Sequence, residues 1–349
     1  MDVSLFDFDL PPEQIAQQPV PERDQARLLV LDRSSGAIVA HTSVAALPEF
    51  LHRGDLLVVN NTRVFPARLL GHRDPTGGAV ECLLVRRLEA DQWEALMHPG
   101  QKLHPGARVK FEAAGVTLWA EVLAQHFHGR RTIRLWTGNG DAVERGVDAI
   151  GHMPLPPYIH RADDPLDRER YQTVYAKNRG SIAAPTAGLH LTTRLLDRLE
   201  SAGVGRVDVT LHVGYGTFKP VRADRVEDHQ VDAESFDVPP QTASAIEAAI
   251  AEGRRVIAVG TTTTRALETA GLAGDGHVAA GPATSELFIH PGHRFRVVTG
   301  LLTNFHLPKS SLLMLVCAFA GREAVLGAYR EAVSRGYRFY SYGDAMLIV

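Results

Sequence analysis

Between Ala67 and Trp136 the chain offers one strand-like segment after another and no helical pattern, whereas strands and helices alternate on either side. The segments 80–88, 93–97, 108–111, 116–123 and 132–135 are short and apolar, and Gly77-Gly78, Pro99-Gly100 and Pro105-Gly106 punctuate them. Consecutive strands joined by turns, with no crossover helix, predict a small barrel or sandwich. Upstream, residues 27–32 and 55–59 read as buried strands with a short helix over 44–51 between them. Downstream of Gly151-His152-Met153-Pro154, helices are expected over 191–202, 241–252 and 262–270, and strands over 207–213, 255–259 and 300–305. Helices at 310–320 and 323–335 and a last strand at 339–342 complete the series. That alternation predicts an α/β domain. The expected fold is therefore an α/β catalytic domain in two pieces, residues 1–66 and 150–349, with a small all-β, barrel-like domain inserted at 67–149.

A chain of 349 residues is long enough for two such units. No apolar run approaches the roughly 20 residues needed to span a bilayer, so no membrane segment is expected. The start, residues 1–10, is acidic and lacks the basic flank and apolar stretch of a signal peptide. Cys82 and Cys317 sit in apolar segments without metal or redox spacing, as suits buried thiols in a reducing cytoplasm. The formal net charge of -3 does not announce a nucleic-acid binder, although a local basic surface would suffice.

Five stretches put reactive polar residues beside Gly or Pro where a plain element has no need of them. Asn60-Asn61-Thr62-Arg63 runs on to Arg68 at the end of an apolar strand; two Asn and two Arg there suit a ligand or an ordinary turn. Around Pro185-Thr186-Ala187-Gly188-Leu189-His190, small residues precede a helix that Thr192 is placed to cap. In the third, His212, Tyr215, Thr217 and Lys219 crowd the end of a strand, where ligands of α/β sheets sit, with Glu227 and His229 soon after. The fourth, Gly260-Thr261-Thr262-Thr263-Thr264-Arg265, reads as strand, glycine turn and helix start. Its amides and hydroxyls suit a carboxylate or phosphate, and without a Gly-Lys-Ser/Thr ending it is not a phosphate-binding Walker loop. Four threonines are otherwise an odd choice for a helix. The fifth places Asn304, His306 and Lys309 where a strand gives way to an apolar helix, whose start explains Pro308 and Ser310 but not the histidine. The sixteen histidines form no His-Glu-x-x-His, His-x-His or cysteine-paired pattern, so no metal is expected.

Taken together these stretches resemble the S-adenosylmethionine:tRNA ribosyltransferase-isomerases. The resemblance runs from Phe6-Asp7-Phe8-Asp9-Leu10-Pro11 to Ser341-Tyr342-Gly343-Asp344-Ala345-Met346. It is dense in all five stretches and over 151–158, and thin between about residues 71 and 147. The family pattern differs at Val231 and Asp232, where Met-His is usual, and at His293 and Thr299, where Tyr and Asp are usual.

The resemblance implies a ribosyl transfer from S-adenosylmethionine to 7-aminomethyl-7-deazaguanine at the tRNA wobble position. The ribosyl group is isomerised to give epoxyqueuosine-tRNA, and adenine and methionine leave. It implies no cofactor beyond S-adenosylmethionine, used as substrate, and a monomeric enzyme is expected. The absence of an early glycine-rich loop agrees, since a Rossmann-type methyltransferase would need one. A sulfonium acidifies the neighbouring ribose carbon, adenine leaves with charge to neutralise, and the incoming amine must lose a proton; imidazoles suit each step. His190, His212 and His306 are the candidate acid–base groups. Thr261, Thr262, Thr263 and Arg265 are assigned to an anion, Tyr215 to stacking, and Arg63, Arg68 and Lys309 to the anticodon backbone. Asn61, Thr186, Thr217, Lys219, Glu227, His229 and Asn304 complete the expected substrate contacts. The rivals are a nucleoside hydrolase or methyltransferase, and a non-catalytic RNA-binding protein; the latter would be expected to show a basic stripe, not titratable groups at strand ends.

Overall fold

A computed structural model describes residues 1–214, 216, 221–274 and 277–349. The chain opens with β1 (Arg27–Leu31), β2 (Ile38–Ser43), β3 (Leu56–Asn60) and β4 (Thr62–Val64). Six strands follow without an α-helix between them: β5 (Arg68–Asp74), β6 (Ala79–Arg87), β7 (Gln92–His98), β8 (Arg108–Ala113), β9 (Val116–Gln125) and β10 (Arg130–Thr137). Then come α1 (Val143–Ile150), α2 (Asp167–Arg170), β11 (Asn178–Ser181), α3 (Thr193–Ser201), β12 (Gly205–Leu211), β13 (Glu234–Val238), α4 (Pro240–Ala251) and β14 (Val256–Val259). The chain ends with α5 (Thr261–Ala273), β15 (Gly281–Ser285), β16 (Gly300–Asn304), α6 (Ser311–Ala320), α7 (Arg322–Ser334) and β17 (Ala345–Ile348).

The strands of the two flanking segments merge into one sheet of nine, in the order β15-β13-β12-β3-β14-β16-β17-β1-β2. Its centre is parallel, from β12 through β3 and β14 to β16, and β17 joins β16 antiparallel and β1 parallel. At the centre both faces are buried, which is why β3, β14 and β16 read as nearly unbroken apolar runs. Leu56, Val58, Val256, Ala258, Met346 and Ile348 turn toward the core shared with α4 to α7. Their neighbours Leu57, Val59, Ile257, Val259 and Leu347 turn to the face covered by α3 and the 3-10 helix at Val44–Glu49.

The six strands β5 to β10 close into a barrel. Val80, Cys82 and Leu84 of β6 and Leu118, Ala120 and Val122 of β9 alternate inward, as a filled barrel requires. Val147 and Ile150 of α1 cap its core. Gly146 lets α1 settle: an added Cβ would stand 2.7 Å from Leu118 Cδ2. The parallel pair β4 and β11 lies apart from both sheets and joins the chain on either side of the barrel.

Two expectations are corrected. Residues 339–342 are a turn, not a strand: Tyr340 has φ of +73° and its carbonyl accepts from Gly343 N at 2.9 Å. The last strand comes after it, in residues that reach the sheet between β16 and β1. The segment 44–51 is a 3-10 helix of six residues, with Pro48 inside it. Strands β2, β4, β5, β11, β13 and β15 were not expected from the pattern; β15, Gly-Pro-Ala-Thr-Ser, is an edge strand with no large apolar residue. Among the described residues no single helix is long and apolar enough to cross a membrane. Helices α6 and α7 are long and apolar enough only together, and they bend by 117° between them.

Candidate active site

Strands β14 and β16 run parallel with Val259 beside Leu302, so Gly260 and Asn304 emerge together at the carboxyl edge of the sheet. Gly260 N donates to Leu302 O at 2.8 Å. The glycine has φ of +93° and ψ of 153°, a conformation that side-chain-bearing residues avoid. As the cap of α5 it supplies no acceptor for the first-turn amides. The hydroxyls of Thr263 and Thr264 turn back to the carbonyls of Val259 and Gly260, at 2.7 and 3.1 Å. Those two threonines are thereby accounted for within the helix. Thr261 and Thr262 instead line a recess of about 40 Å³ with Thr186, Asn304, His306, Tyr158 and Ser341.

His306 is buried, its Nε2 2.9 Å from Thr303 Oγ1, and burial lowers its pKa to about 3. His190 lies behind the recess. Its Nε2 is 3.0 Å from Asn304 Nδ2, and burial, with Arg338 and Arg23 nearby, lowers its pKa to about 4. Both rings are neutral near pH 7. His212 stands on the other side of Val213. It lines a cleft of about 650 Å³ between the barrel and the sheet, and Val213 borders both cleft and recess. Thr62 Oγ1 holds His212 Nδ1 at 2.8 Å, and burial shifts its pKa down. The three histidines are therefore not one cluster: His306 lines the recess, His190 stands behind it against Asn304, and His212 lines the cleft.

The barrel contributes Trp93, Glu94, Arg86, Arg87 and Arg130 to the cleft, opposite Arg179, Asp232 and Ser235. Arg130 spans it, 3.0 Å from Glu94 and 3.4 Å from Asp232. Arg179 lies 5.0 Å from the centre of the Phe65 ring, and Phe65 packs 5.9 Å from Trp93.

The remaining expected residues are scattered. Asn61 is buried, and its Oδ1 accepts from Thr210 Oγ1 at 2.8 Å and Asn178 Nδ2 at 3.1 Å, a junction between strands. Arg63 is exposed on β4. Arg68 pairs with Glu81 at 2.7 Å and lines a separate cleft. Arg265 is buried against Glu234 at 2.6 Å, with Nε on Leu287 O. Glu227 is exposed and pairs with the amino terminus, and His229 packs edge-on to Phe288. Lys309 pairs with Asp7 at 2.7 Å. Tyr215, Thr217 and Lys219 lie outside the described residues. Of the departures from the family pattern, Asp232 meets Arg130 and Val231 lies beside Arg265 in a small cavity. His293 approaches Glu268 at 3.5 Å, and Thr299 Oγ1 accepts from Val256 N at 2.7 Å.

Sequence reasoning singled out neither Tyr158 and Ser341, whose hydroxyls meet at the recess, nor the barrel's share of the cleft. The first two lie inside stretches that carried the resemblance. The barrel residues gave no signal, because alternating strand residues read the same whether they face solvent or a cleft.

A family model described as queuosine biosynthesis protein matches residues 3–348. An S-adenosylmethionine:tRNA ribosyltransferase-isomerase of Heliobacterium modesticaldum is 52% identical over 100% of both chains. That of Moorella thermoacetica is 50% identical over 100% of both, and that of Thermus thermophilus 54% over 99% of each. The crystal structure of an S-adenosylmethionine tRNA ribosyltransferase from Thermotoga maritima is 37% identical and superposes with a TM-score of 0.56, covering 99% of this chain and 100% of that one.

Proposed function

We infer the activity of this chain from one premise: it belongs to the queuosine biosynthesis protein family. It is an S-adenosylmethionine:tRNA ribosyltransferase-isomerase, with S-adenosylmethionine and tRNA as its substrates. The ribosyl part of S-adenosylmethionine is transferred to and isomerised on 7-aminomethyl-7-deazaguanine at the wobble position. The products are epoxyqueuosine-tRNA, adenine and methionine.

The observation that carries a site for this chemistry is the junction at Val213. A cleft large enough for nucleosides meets a small polar recess there, with His212 on one side and His306 on the other. His212 is the residue we assign to proton transfer at the ribose. Thr62 occupies its Nδ1, so Nε2 is left for substrate, and a ring that burial keeps neutral is ready to accept a proton. The unstacked anticodon bases enter the cleft between barrel and sheet, where Trp93, Phe65 and the arginines offer stacking and phosphate contacts. Arg63, Arg68 and Lys309 remain the assigned contacts to RNA outside the cleft. Acid–base catalysis of this kind needs no metal and no cofactor beyond S-adenosylmethionine.

The same reading takes the chain as two units, residues 1–66 with 150–349 and residues 67–149. It acts as a monomer in the cytoplasm, away from membranes.

Mass spectrometry tests the activity. Protein, S-adenosylmethionine and tRNA carrying the aminomethyl base should yield free adenine, methionine and an epoxyqueuosine nucleoside. His212→Ala should lower kcat by about 10²-fold or more, the range for a lost acid–base group. A wild-type protein that methylates the RNA without releasing adenine would overturn the reaction, and a fully active variant the role of His212.

A further inference from the structure

Asn304 is only 1% exposed, and its amide is oriented by what surrounds it. One amide atom faces Tyr340 O at 3.1 Å, and a carbonyl only accepts, so that atom is the Nδ2 donor. Its second hydrogen points to His190 Nε2 at 3.0 Å, which makes that nitrogen an acceptor and places the ring's proton on Nδ1. Both donors are used. Among the described residues nothing donates to Oδ1, although it is buried and its residue lines the recess. A buried acceptor without a donor costs about 1–3 kcal/mol unless a ligand supplies one.

Across the recess stand the first-turn amides of α5, which the Gly260 cap leaves without a side-chain acceptor, and the threonines Thr261 and Thr262. A helix start favours an anion. Donors thus come from the end of β14 and an acceptor from the end of β16. Neighbouring strands lie about 4.8 Å apart, a spacing that suits opposite charges borne on one carbon. The recess, about 40 Å³, is too small for a purine, whereas the adjoining cleft of about 650 Å³ is not.

We propose that this recess seats the α-amino-carboxylate end of S-adenosylmethionine, carboxylate on the Thr261–Thr262 turn and ammonium on Asn304 Oδ1, with His190 a positioning residue that fixes the Asn304 amide. The assignment rests on the reading of S-adenosylmethionine as substrate. The sulfonium and ribose then point past Val213 toward His212. His190 touches no reacting atom; a ring whose Nε2 is committed to Asn304 and whose burial keeps it neutral orients the amide and transfers no proton.

The two leaving products separate the ends of the substrate, so each serves as a probe. Inhibition of turnover by L-methionine and by adenine is measured with wild type and Asn304→Ala. The variant should weaken L-methionine, and raise the KM for S-adenosylmethionine, by about tenfold to a hundredfold, with adenine within about twofold. Loss of adenine inhibition with L-methionine unchanged would overturn the seat. If Asn304→Ala does not fold, wild type decides: 3-methylthiopropylamine and 4-methylthiobutyrate, lacking one charge each, should both bind at least about tenfold more weakly than L-methionine. Equal binding of all three counts against the proposal.

For His190, the Gln variant keeps an acceptor for Asn304 and the Ala variant does not. Ala should raise KM more than it lowers kcat. Gln should recover most of the loss, with a pH profile like that of wild type. A Gln variant as inactive as Ala, with one limb of the pH profile gone, would make His190 an acid–base group instead. Wild type that releases neither adenine nor methionine contradicts the activity itself, whereas active wild type indifferent to these changes contradicts only the seat.

Discussion

His306 is buried at the wall of the recess, and burial lowers its pKa to about 3 from an ordinary value near 6.5. A histidine whose pKa falls on folding favours the native state above the unfolded value. That stability drains away as pH falls from about 6.5 toward the folded value, because the unfolded chain then takes up the proton first. Each pH unit inside that window removes up to about 1.4 kcal/mol per such group. His190, lowered to about 4, adds to the same slope. His306→Gln should therefore be less stable than wild type at pH 7 yet lose stability more slowly between pH 6.5 and 5. Urea midpoints across that range measure it, and parallel slopes would show that His306 does not titrate on unfolding. The sequence marked His190 before a helix, and Asn304 and His306 at a strand end, as unusual, and the fold does bring them close. It had no means of showing that His190 faces Asn304 and not the ligand. That distinction rests on the Tyr340 carbonyl, which reaches the amide only because the chain turns at 339–342.

At the scale of elements, short-range rules succeed where one residue satisfies one backbone group. Thr192, expected as a cap, accepts from Leu195 N at 3.1 Å and also donates to Asp24 Oδ2 at 3.2 Å. Thr192→Ala should cost about 1–2 kcal/mol, since the cap is lost and a buried carboxylate loses a donor. The midpoint of urea unfolding checks the figure, and the KM for S-adenosylmethionine should stay unchanged because Thr192 does not line the recess. The central strands were legible for an equally local reason. With both faces covered, β3, β14 and β16 are apolar at nearly every position. Strands whose identity depends on distant partners were not. β15 has no large apolar residue and exists because β13 offers it a ladder. Conversely, Phe339 and Tyr342 look like strand residues because the core wants their rings, yet Tyr340 between them takes a left-handed backbone.

Over the whole molecule, the cleft exists because a closed barrel is inserted beside the carboxyl edge of the sheet, and the proposed RNA path makes affinity depend on the charges there more than on net charge. A formal charge of -3 coexists with four arginines around one opening, Arg86, Arg87, Arg130 and Arg179. Carboxylates hold them in place: Glu94 on Arg86 at 2.7 Å, Glu144 on Arg87 at 2.5 Å and Asp148 on Arg179 at 2.7 Å. Arg86 is 69% and Arg87 48% exposed, so solvent screens both pairs and a phosphate can compete for the guanidinium groups. The double variant Arg86→Ala, Arg87→Ala should weaken tRNA binding. It should also make the fall of log K with log salt shallower, by about 0.7 for each phosphate of single-stranded RNA that an arginine no longer neutralises. Inhibition by L-methionine should not change, because neither arginine borders the recess. Fluorescence anisotropy with labelled tRNA at several salt concentrations reads the slope. The triple variant of Arg63, Arg68 and Lys309 is the control that locates the RNA path. Arg68 and Lys309 sit in ion pairs away from the cleft, at 2.7 Å from Glu81 and from Asp7. If the triple variant flattens the slope and the double variant leaves it unaltered, the RNA runs outside the cleft along Arg63, Arg68 and Lys309, and the cleft holds no more than the flipped base.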